Sequence, residues 1–167
     1  MRIGGDMRSG QKNIGGLIMS NQDLDFPLGT SIINLVVSHR LLTAEKIRQL
    51  GLYPGQDMVL IELLRKDHRS QNELVQALTV DHSTIAKSAN RLQKAGIVSF
   101  EKSTADKRVT IISLTDKGRE LATKAAAIWR DVEQTAFEDL SEEDVRFFID
   151  YARKITTTFN QKASKDN

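Results

Sequence analysis

Cysteine is absent from this 167-residue chain, proline occurs only twice, and aromatic residues make up 5% of the sequence. The lack of cysteine excludes disulfide scaffolds, iron–sulfur clusters and thiol-based redox sensing, and it fits a reducing compartment. No apolar run approaches the ~18 residues of a membrane-spanning helix, and the N-terminus lacks the basic and then apolar pattern of a secretory signal. We therefore predict a cytoplasmic protein with no membrane partner.

Residues with catalytic or metal-binding chemistry are sparse and scattered. The three histidines, His39, His68 and His82, lie far apart and have none of the spacings typical of zinc ligands. The sequence also lacks a phosphate-binding glycine loop and the G-x-S-x-G motif of a nucleophilic serine. We therefore predict that the protein is not an enzyme and binds no metal or cofactor.

The charge of the chain is unevenly distributed, although the net charge is only +2. Residues 82–108 contain six basic and two acidic side chains, whereas residues 116–150 contain five basic and ten acidic ones. A basic middle section followed by an acidic one indicates a polyanionic partner that contacts only the middle of the chain. Small local surpluses of charge are also common on protein surfaces, so this pattern alone leaves both interpretations open.

The hydrophobic pattern predicts a mainly helical chain with one β-hairpin. Residues 1–22 are rich in glycine and have no period, which predicts a disordered tail or a translated leader, with Met19 as the hypothetical native start. Ser70 with Glu73 forms a capping box, and Asp81 is a further predicted N-cap. Apolar residues at helical spacing predict helices over residues 26–50, 54–67, 70–78, 81–95, 115–137 and 141–161.

Three helices followed by a cationic hairpin predict a winged helix-turn-helix, so the fold class is mainly α (α+β). The hairpin strands are Ile97–Lys102 and Val109–Leu114. In such a unit the later helix enters the DNA major groove, and a cationic wing reaches the adjacent minor groove. The predicted inner face of that helix is Ile85, Ala89 and Leu92. Its opposite face carries hydroxyl and cationic side chains that suit phosphates and base edges, namely Ser83, Thr84, Lys87, Ser88 and Arg91.

Asp106 precedes Arg108 by two residues at the tip of the predicted wing. Its carboxylate either orients Arg108 or a cation of the recognition helix, or it acts as a turn residue, which is the commoner role of aspartate at a hairpin tip. The sequence leaves both interpretations open.

These motifs resemble the MarR (multiple-antibiotic-resistance regulator) family of bacterial winged-helix transcription factors over about residues 25–160. The most specific part is Asp106-Lys107-Arg108, followed after five residues by "LTDKG", which is similar to the D-x-R wing and L-T-x-x-G of that family. The segments "GLYPGQDMVLIELL" and "ELVQALTVDHSTIAKSANRLQKAGIV" are also similar to family segments. Lys87 stands where the family often has arginine, so a planar bidentate contact is lost there. Tyr53 replaces a commoner threonine, and the sequence gives that change no consequence.

The resemblance implies a homodimer that binds double-stranded DNA at a pseudo-palindromic operator and regulates transcription, most commonly as a repressor. It assigns residues 23–53 and 115–161 to a helical dimerisation region formed by the N- and C-terminal helices, and residues 54–114 to the DNA-binding lobe. Ser70 and Gln71 take phosphate-contact positions. Together with the reasoning from the residues, the predicted DNA-binding set is Ser70, Gln71, His82, Ser83, Thr84, Lys87, Ser88, Arg91, Asp106, Lys107 and Arg108.

The family also implies a small phenolic or aromatic carboxylate effector. On the first helix, His39 and Arg40 are candidates to hold its carboxylate, although a solvated polar face is the simpler interpretation of that pair.

The main alternative to DNA binding is a winged-helix protein–protein interaction module that does not bind DNA. An acidic or apolar outer face on the recognition helix would favour that alternative, whereas Lys87 and Arg91 favour DNA.

Overall fold

The computed structural model describes residues 26–164. The predictions for residues 1–22, including the start at Met19, lie outside this range. The chain is mainly helical with one small sheet, which confirms the predicted fold class. The elements are α1 (Pro27–Arg48), α2 (Gln56–Arg65), β1 (Arg69–Ser70), α3 (Gln71–Leu78), α4 (His82–Lys94), β2 (Val98–Lys102), β3 (Thr110–Leu114), α5 (Asp116–Ala136) and α6 (Glu142–Ala163).

The chain divides into two compact units, with the boundary between Leu42 and Thr43 inside α1. The described part of the first unit is a stretch of helix whose large apolar side chains are mostly exposed. The second unit contains the end of α1 and all the other elements. Its core joins α2, α3, α4, the sheet and α5 through fully buried side chains, among them Leu60, Leu63, Leu74, Ile85, Leu92 and Ile112.

The helix starts predicted at Ser70 and Asp81 are confirmed, because each depends on a hydrogen bond within a few residues of the cap. The start predicted at residue 54 is wrong, because the chain turns through Gly55 at a left-handed φ of 87° and α2 begins only at Gln56. The Ser70 hydroxyl accepts from the Glu73 backbone N–H at 3.3 Å, and the Glu73 carboxylate accepts from the Ser70 N–H at 2.8 Å. The Ser70 backbone N–H and, after it, the Ser70 hydroxyl both donate to the Glu73 carboxylate, and these two hydrogen bonds lower the pKa of Glu73. Ser141 forms a capping box at the start of α6, whereas Asp81 and Thr115 cap α4 and α5 by accepting from a backbone N–H three residues on.

The sheet has three antiparallel strands in the order β1-β3-β2, one more than the hairpin predicted from the sequence. In the hairpin, Val98 pairs with Leu114 and Phe100 with Ile112, and these four residues face the core. The extra strand, β1, contains only two residues, so no alternating pattern could have indicated it. It exists because Arg69 and Ser70 pair with β3, which ties the start of α3 to the wing.

A buried carboxylate links α2 to α5. Asp57 is only 4% exposed, and its oxygens accept from the Trp129 indole N–H at 2.9 Å and from the Gly55 backbone N–H at 3.0 Å. Hydrogen bonds of this kind are what make burial of a carboxylate tolerable. The pair therefore fixes the first turn of α2 against the middle of α5.

A second carboxylate, Asp67, connects the turn before β1 to the end of the wing. It accepts from the backbone N–H groups of Leu114 at 3.0 Å and His68 at 2.9 Å, and from the Arg119 guanidinium at 2.8 Å. Burial alone raises the pKa of this carboxyl, but the three hydrogen bonds outweigh it and leave the pKa below its ordinary value. Asp67 thus stays ionised, and its hydrogen bonds to Leu114 and Arg119 hold the end of β3 and the start of α5 to the turn before β1.

The sequence "LTDKG" has a structural explanation at the junction of β3 and α5. Thr115 donates its hydroxyl proton to the carbonyl oxygens of Gly96 and Ile97, at 2.9 and 3.0 Å, and caps α5 by accepting from the Gly118 N–H at 3.1 Å. Gly118 faces the Ile97 carbonyl so closely that a Cβ atom there would overlap with it. The absence of a side chain at Gly118 therefore lets α5 approach the start of the wing.

We expect Gly118→Ala to lower the free energy of unfolding by about 1–3 kcal/mol, because backbone must move to relieve the overlap. Urea denaturation measures this change. The matched control is Gly29→Ala in α1, where the new methyl would meet only the Phe26 Cβ, at an ordinary 3.9 Å. At that control position alanine is expected to be neutral or stabilising. Equal effects at the two glycines would contradict the close approach at Gly118.

Candidate nucleic-acid interface

The helix-turn-helix consists of α3, a short turn and α4. The turn begins at Thr79, whose φ of 53° is left-handed, and Asp81 then caps α4. Ile85, Ala89 and Leu92 are fully buried, which confirms the inner face predicted from the sequence. Because these three positions fix the rotation of the helix about its axis, they also decide which side chains face outward.

The outward side of α4 carries a stripe of four polar side chains at helical spacing. Ser83, Lys87, Asn90 and Lys94 follow one another at intervals of four, three and four residues, and all are exposed. Asn90 and Lys94 were not in the predicted set, which stopped at Arg91. The helical period already contained the signal for both, since they continue the line of Ser83 and Lys87.

The other predicted residues of α4 lie beside this stripe. Thr84 and Arg91 flank it and are exposed. Ser88 is half-buried, so it lies nearer the core than the predicted face implied. His82 is the exposed first residue of the helix.

The Asp81 carboxylate accepts hydrogen bonds from the two hydroxyl groups at the start of α4, and so sets the direction of their protons. The hydroxyls of Ser83 and Thr84 donate to its carboxylate at 2.6 and 2.7 Å, and the Thr84 backbone N–H donates at 2.8 Å. The Ser83 hydrogen bond, followed by those from Thr84, holds the pKa of Asp81 far below its ordinary value. An ionised carboxylate only accepts, so both hydroxyl protons point inward and each hydroxyl keeps lone pairs for an external donor.

At the start of α3, Ser70 uses its donors within the protein. Its hydroxyl and its backbone N–H both donate to the Glu73 carboxylate, each at 2.8 Å. Gln71 is the half-buried first residue of the helix. The capping box therefore makes the exposed edge of Ser70 an acceptor rather than a donor.

The tip of the wing is held by backbone contacts. Asp106 accepts from the Arg108 backbone N–H at 2.9 Å, which is the contact of a turn residue, and the Asp106 carbonyl accepts from Val109 at 2.9 Å. Lys107 and Arg108 are exposed, and neither forms an ion pair with any residue in the range 26–164. The wing thus presents two cations on a turn that does not neutralise them.

The two effector candidates, His39 and Arg40, belong to the first unit, on α1. His39 is half-buried and Arg40 is exposed.

Across the residues described, no helix is long and apolar enough to cross a membrane, and no three acidic, histidine or cysteine side chains gather as metal ligands would.

Tyr53, for which no role was predicted from the sequence, also lies in this region. The Arg91 guanidinium lies over its ring, with the guanidinium carbon 5.6 Å from the ring centroid. The two residues are 38 positions apart by their numbers in the sequence, so no local pattern could have paired them.

A helix with a buried inner stripe and a cationic outer one, next to a cationic wing, defines a winged helix-turn-helix DNA-binding protein. A family model described as transcriptional regulator SarA/Rot matches residues 42–125, which is half of the chain. The chain therefore belongs to the SarA/Rot family of transcriptional regulators.

Comparison with known proteins also confirms the resemblance to the MarR family. A crystal structure of MarR is 25% identical, with a TM-score of 0.71 over 87% of this chain and 99% of that one. The S. aureus MepR–DNA complex is 21% identical, with a TM-score of 0.74 over 78% of this chain and 97% of that one. The HTH-type transcriptional regulator BilQ of Clostridium symbiosum is 25% identical over 118 residues, which cover 71% of this chain and 82% of that protein.

We expect Ser83→Ala or Thr84→Val to raise the pKa of Asp81 toward the ordinary 3.8, because each removes a donor to the carboxylate. Since the pKa is depressed in the folded state, the stability that Asp81 contributes is present above pH ~4 and is lost as the pH falls below that value. Carboxyl carbon NMR titration measures the pKa. Ser88→Ala is the control and should leave the titration of Asp81 unchanged. An Asp81 that already titrates as an ordinary aspartate in the wild type would contradict the hydrogen-bonded geometry.

Proposed function

We propose that the protein represses transcription by binding a pseudo-palindromic operator as a homodimer, with α4 in the major groove and the wing in the adjacent minor groove. The observation that carries the proposal is the exposed stripe of Ser83, Lys87, Asn90 and Lys94, together with the wing cations Lys107 and Arg108, which pair with no carboxylate in the range 26–164. Cations without internal partners are available to phosphates, and a guanidinium suits the negative potential of a minor groove. MepR was solved with DNA, and so was a Listeria monocytogenes protein of this fold, which supports the proposal.

Base readout by α4 follows from the direction of its hydroxyl protons. Because Ser83 and Thr84 donate to Asp81, their oxygens can only accept from the DNA. In the major groove the donors are the amino groups of cytosine and adenine, whereas phosphates and the guanine edge offer only acceptors. Ser83 and Thr84 therefore recognise base amino groups, and Lys87 supplies the cationic contact to guanine or phosphate.

A second copy of the chain would cover apolar surface that one chain leaves exposed. Helix α6 has 22 residues and none of them is buried. Its aromatic side chains are about half exposed, with Phe148 at 46% and Phe159 at 58%. Exposed apolar area of this kind marks an interaction surface, and a homodimer is the assembly that places two α4 helices on one operator. On this view residues 23–53 and 115–161 form the dimerisation region.

A small phenolic or aromatic carboxylate would release the DNA by favouring a spacing of the two α4 helices that does not fit the operator. PcaV of Streptomyces coelicolor, another protein of this fold, was solved with its natural ligand, which supports an effector here. His39 and Arg40 remain the proposed contacts to its carboxylate.

The competing function, a protein–protein module without DNA binding, would show no salt-dependent affinity for DNA.

The DNA-binding function is tested by selection from a randomised duplex library, followed by affinity measurements over a range of salt concentrations. Arg108→Ala should weaken binding and reduce the salt slope by about one unit, because one phosphate or minor-groove cation is lost. Lys87→Ala should also change the selected sequence. The control is Lys124→Ala on α5, which removes the same charge outside the helix-turn-helix and the wing. A wild-type protein that binds no duplex even at low salt would refute the proposal.

The dimer is tested by Phe148→Asp, which places a charge on the apolar side of α6. Sedimentation velocity should show a dimeric wild type and a shift of the variant toward monomer, because an unpaired carboxylate is costly to bury. Glu143→Gln on the same helix is the control and should remain dimeric. A monomeric wild type at micromolar concentration would be incompatible with the proposed assembly.

A further inference from the structure

We propose that Tyr53 is a positioning residue for DNA binding, whose ring holds the Arg91 guanidinium in place to contact a phosphate of the bound duplex. The inference rests on the proposed DNA-binding function and adds to it a residue outside the helix-turn-helix. It also gives Tyr53, a departure from the commoner threonine, a physical role.

The contact between the two side chains leaves the donors of the arginine free. The guanidinium carbon of Arg91 lies over the Tyr53 ring at 5.6 Å from its centroid, within the range of a cation–π interaction. The Arg91 side chain donates no hydrogen bond to any residue in the range 26–164, so the contact with the ring leaves its five N–H donors without an acceptor in that range. No carboxylate in the part of the chain that the structure describes pairs with Arg91. Its N–H groups therefore remain available for a bidentate contact with phosphate.

The backbone of Tyr53 is fixed to the core. The Gln56 side-chain oxygen accepts from the Tyr53 N–H at 2.9 Å, and the Tyr53 carbonyl accepts from the Gln56 N–H at 3.0 Å. Gln56 is only 5% exposed, so it anchors the loop rather than moving with solvent. Gly55, at a φ of 87°, turns the chain between them and donates to the buried Asp57. The loop that carries the Tyr53 ring is therefore held by hydrogen bonds to Gln56 and to Asp57, the carboxylate that joins α2 to α5.

The Tyr53 ring lies beside the recognition helix, and its outer side remains in water. A cleft of about 390 Å³ separates the loop before α2 from the last turns of α4, and its walls include Gly51, Leu92, Ala95 and Ile97. Tyr53 is 63% exposed, so the core does not require its ring. A residue that the core does not need can be replaced without unfolding the protein, which makes its role measurable.

Positioning matters because Arg91 has a long side chain in the last turn of α4, and within the range 26–164 only the Tyr53 ring is seen to restrain its guanidinium. An arginine that must be ordered on binding loses side-chain entropy, and one already held against a ring loses less. The position of Arg91, beside the stripe of Lys87 and Lys94, is suited to the DNA backbone rather than to a base edge. Tyr53 should therefore affect affinity without affecting sequence preference.

The experiment is a double-mutant cycle on the DNA selected by the wild-type protein. Tyr53→Leu should weaken binding about two- to fivefold, the effect of losing one exposed cation–π contact. Tyr53→Phe, which keeps the ring, should retain nearly wild-type affinity. In an Arg91→Ala background the Tyr53→Leu change should have no further effect, and Arg91→Ala alone should lower the salt slope by about one unit. Selection with Tyr53→Leu should return the wild-type sequence.

The outcomes separate this inference from the proposed function. If the wild type binds DNA but Tyr53→Leu weakens binding equally with and without Arg91, the ring does not act through the arginine and the inference is wrong. It is also wrong if Tyr53→Phe is as weak as Tyr53→Leu, or if Arg91→Ala leaves affinity and salt slope unchanged. Thermal unfolding of each variant excludes a loss of fold as the cause. If the wild type binds no DNA, the inference fails together with the proposed function.

Discussion

The burial of one stripe of α4 is the constraint on which the rest of the interface depends. Ile85, Ala89 and Leu92 are at most 1% exposed, and a helix held on three such positions cannot rotate about its axis. Once they are buried, Ser83 and Lys87 must face outward. The cap at Asp81 sets where the helix begins, so the side chains at its start occupy defined places. The wing is anchored in the same core through Ile112, which keeps its cations at a fixed distance from α4.

In the second unit, three carboxylates accept hydrogen bonds from within the protein, whereas the two cations of the wing are exposed. Asp57, Asp67 and Asp81 all accept hydrogen bonds from within the protein, and each fixes a junction or a helix start. The exposed cations Lys107 and Arg108 have no such partners among the residues that the structure describes. A nearly neutral chain can in this way present a locally positive surface, because its negative charges are used as structural acceptors.

The apolar residues fall into two groups with different requirements. Most of those in α2 to α5 are buried within one chain, in the core around Leu60 and Leu63. Those of α6 are not, because that helix has no buried residue despite aromatic side chains such as Tyr151. Helical amphipathicity alone does not distinguish a helix that packs within its own chain from one that packs against a copy. The burial of each side chain shows that α2 to α5 pack within the single chain and that no residue of α6 is buried there.

The sequence by itself determined the helices, their caps and the hairpin, because these depend on contacts within a few residues: Ser70 with Glu73, Asp81 with Thr84, Thr115 with Gly118. It also placed the main outward cations of α4, since helical spacing alone assigns them to the side opposite Ile85. The direction of the Ser83 and Thr84 hydroxyl protons and the turn role of Asp106 depend on contacts within three residues that the sequence had left open. Only the tertiary structure decided the third strand. It alone joined Asp57 to Trp129, which are 72 residues apart, and Asp67 to Leu114, which are 47 apart. Such pairs leave no period in the sequence, because the distance between them is set by how the elements pack and not by the local path of the backbone.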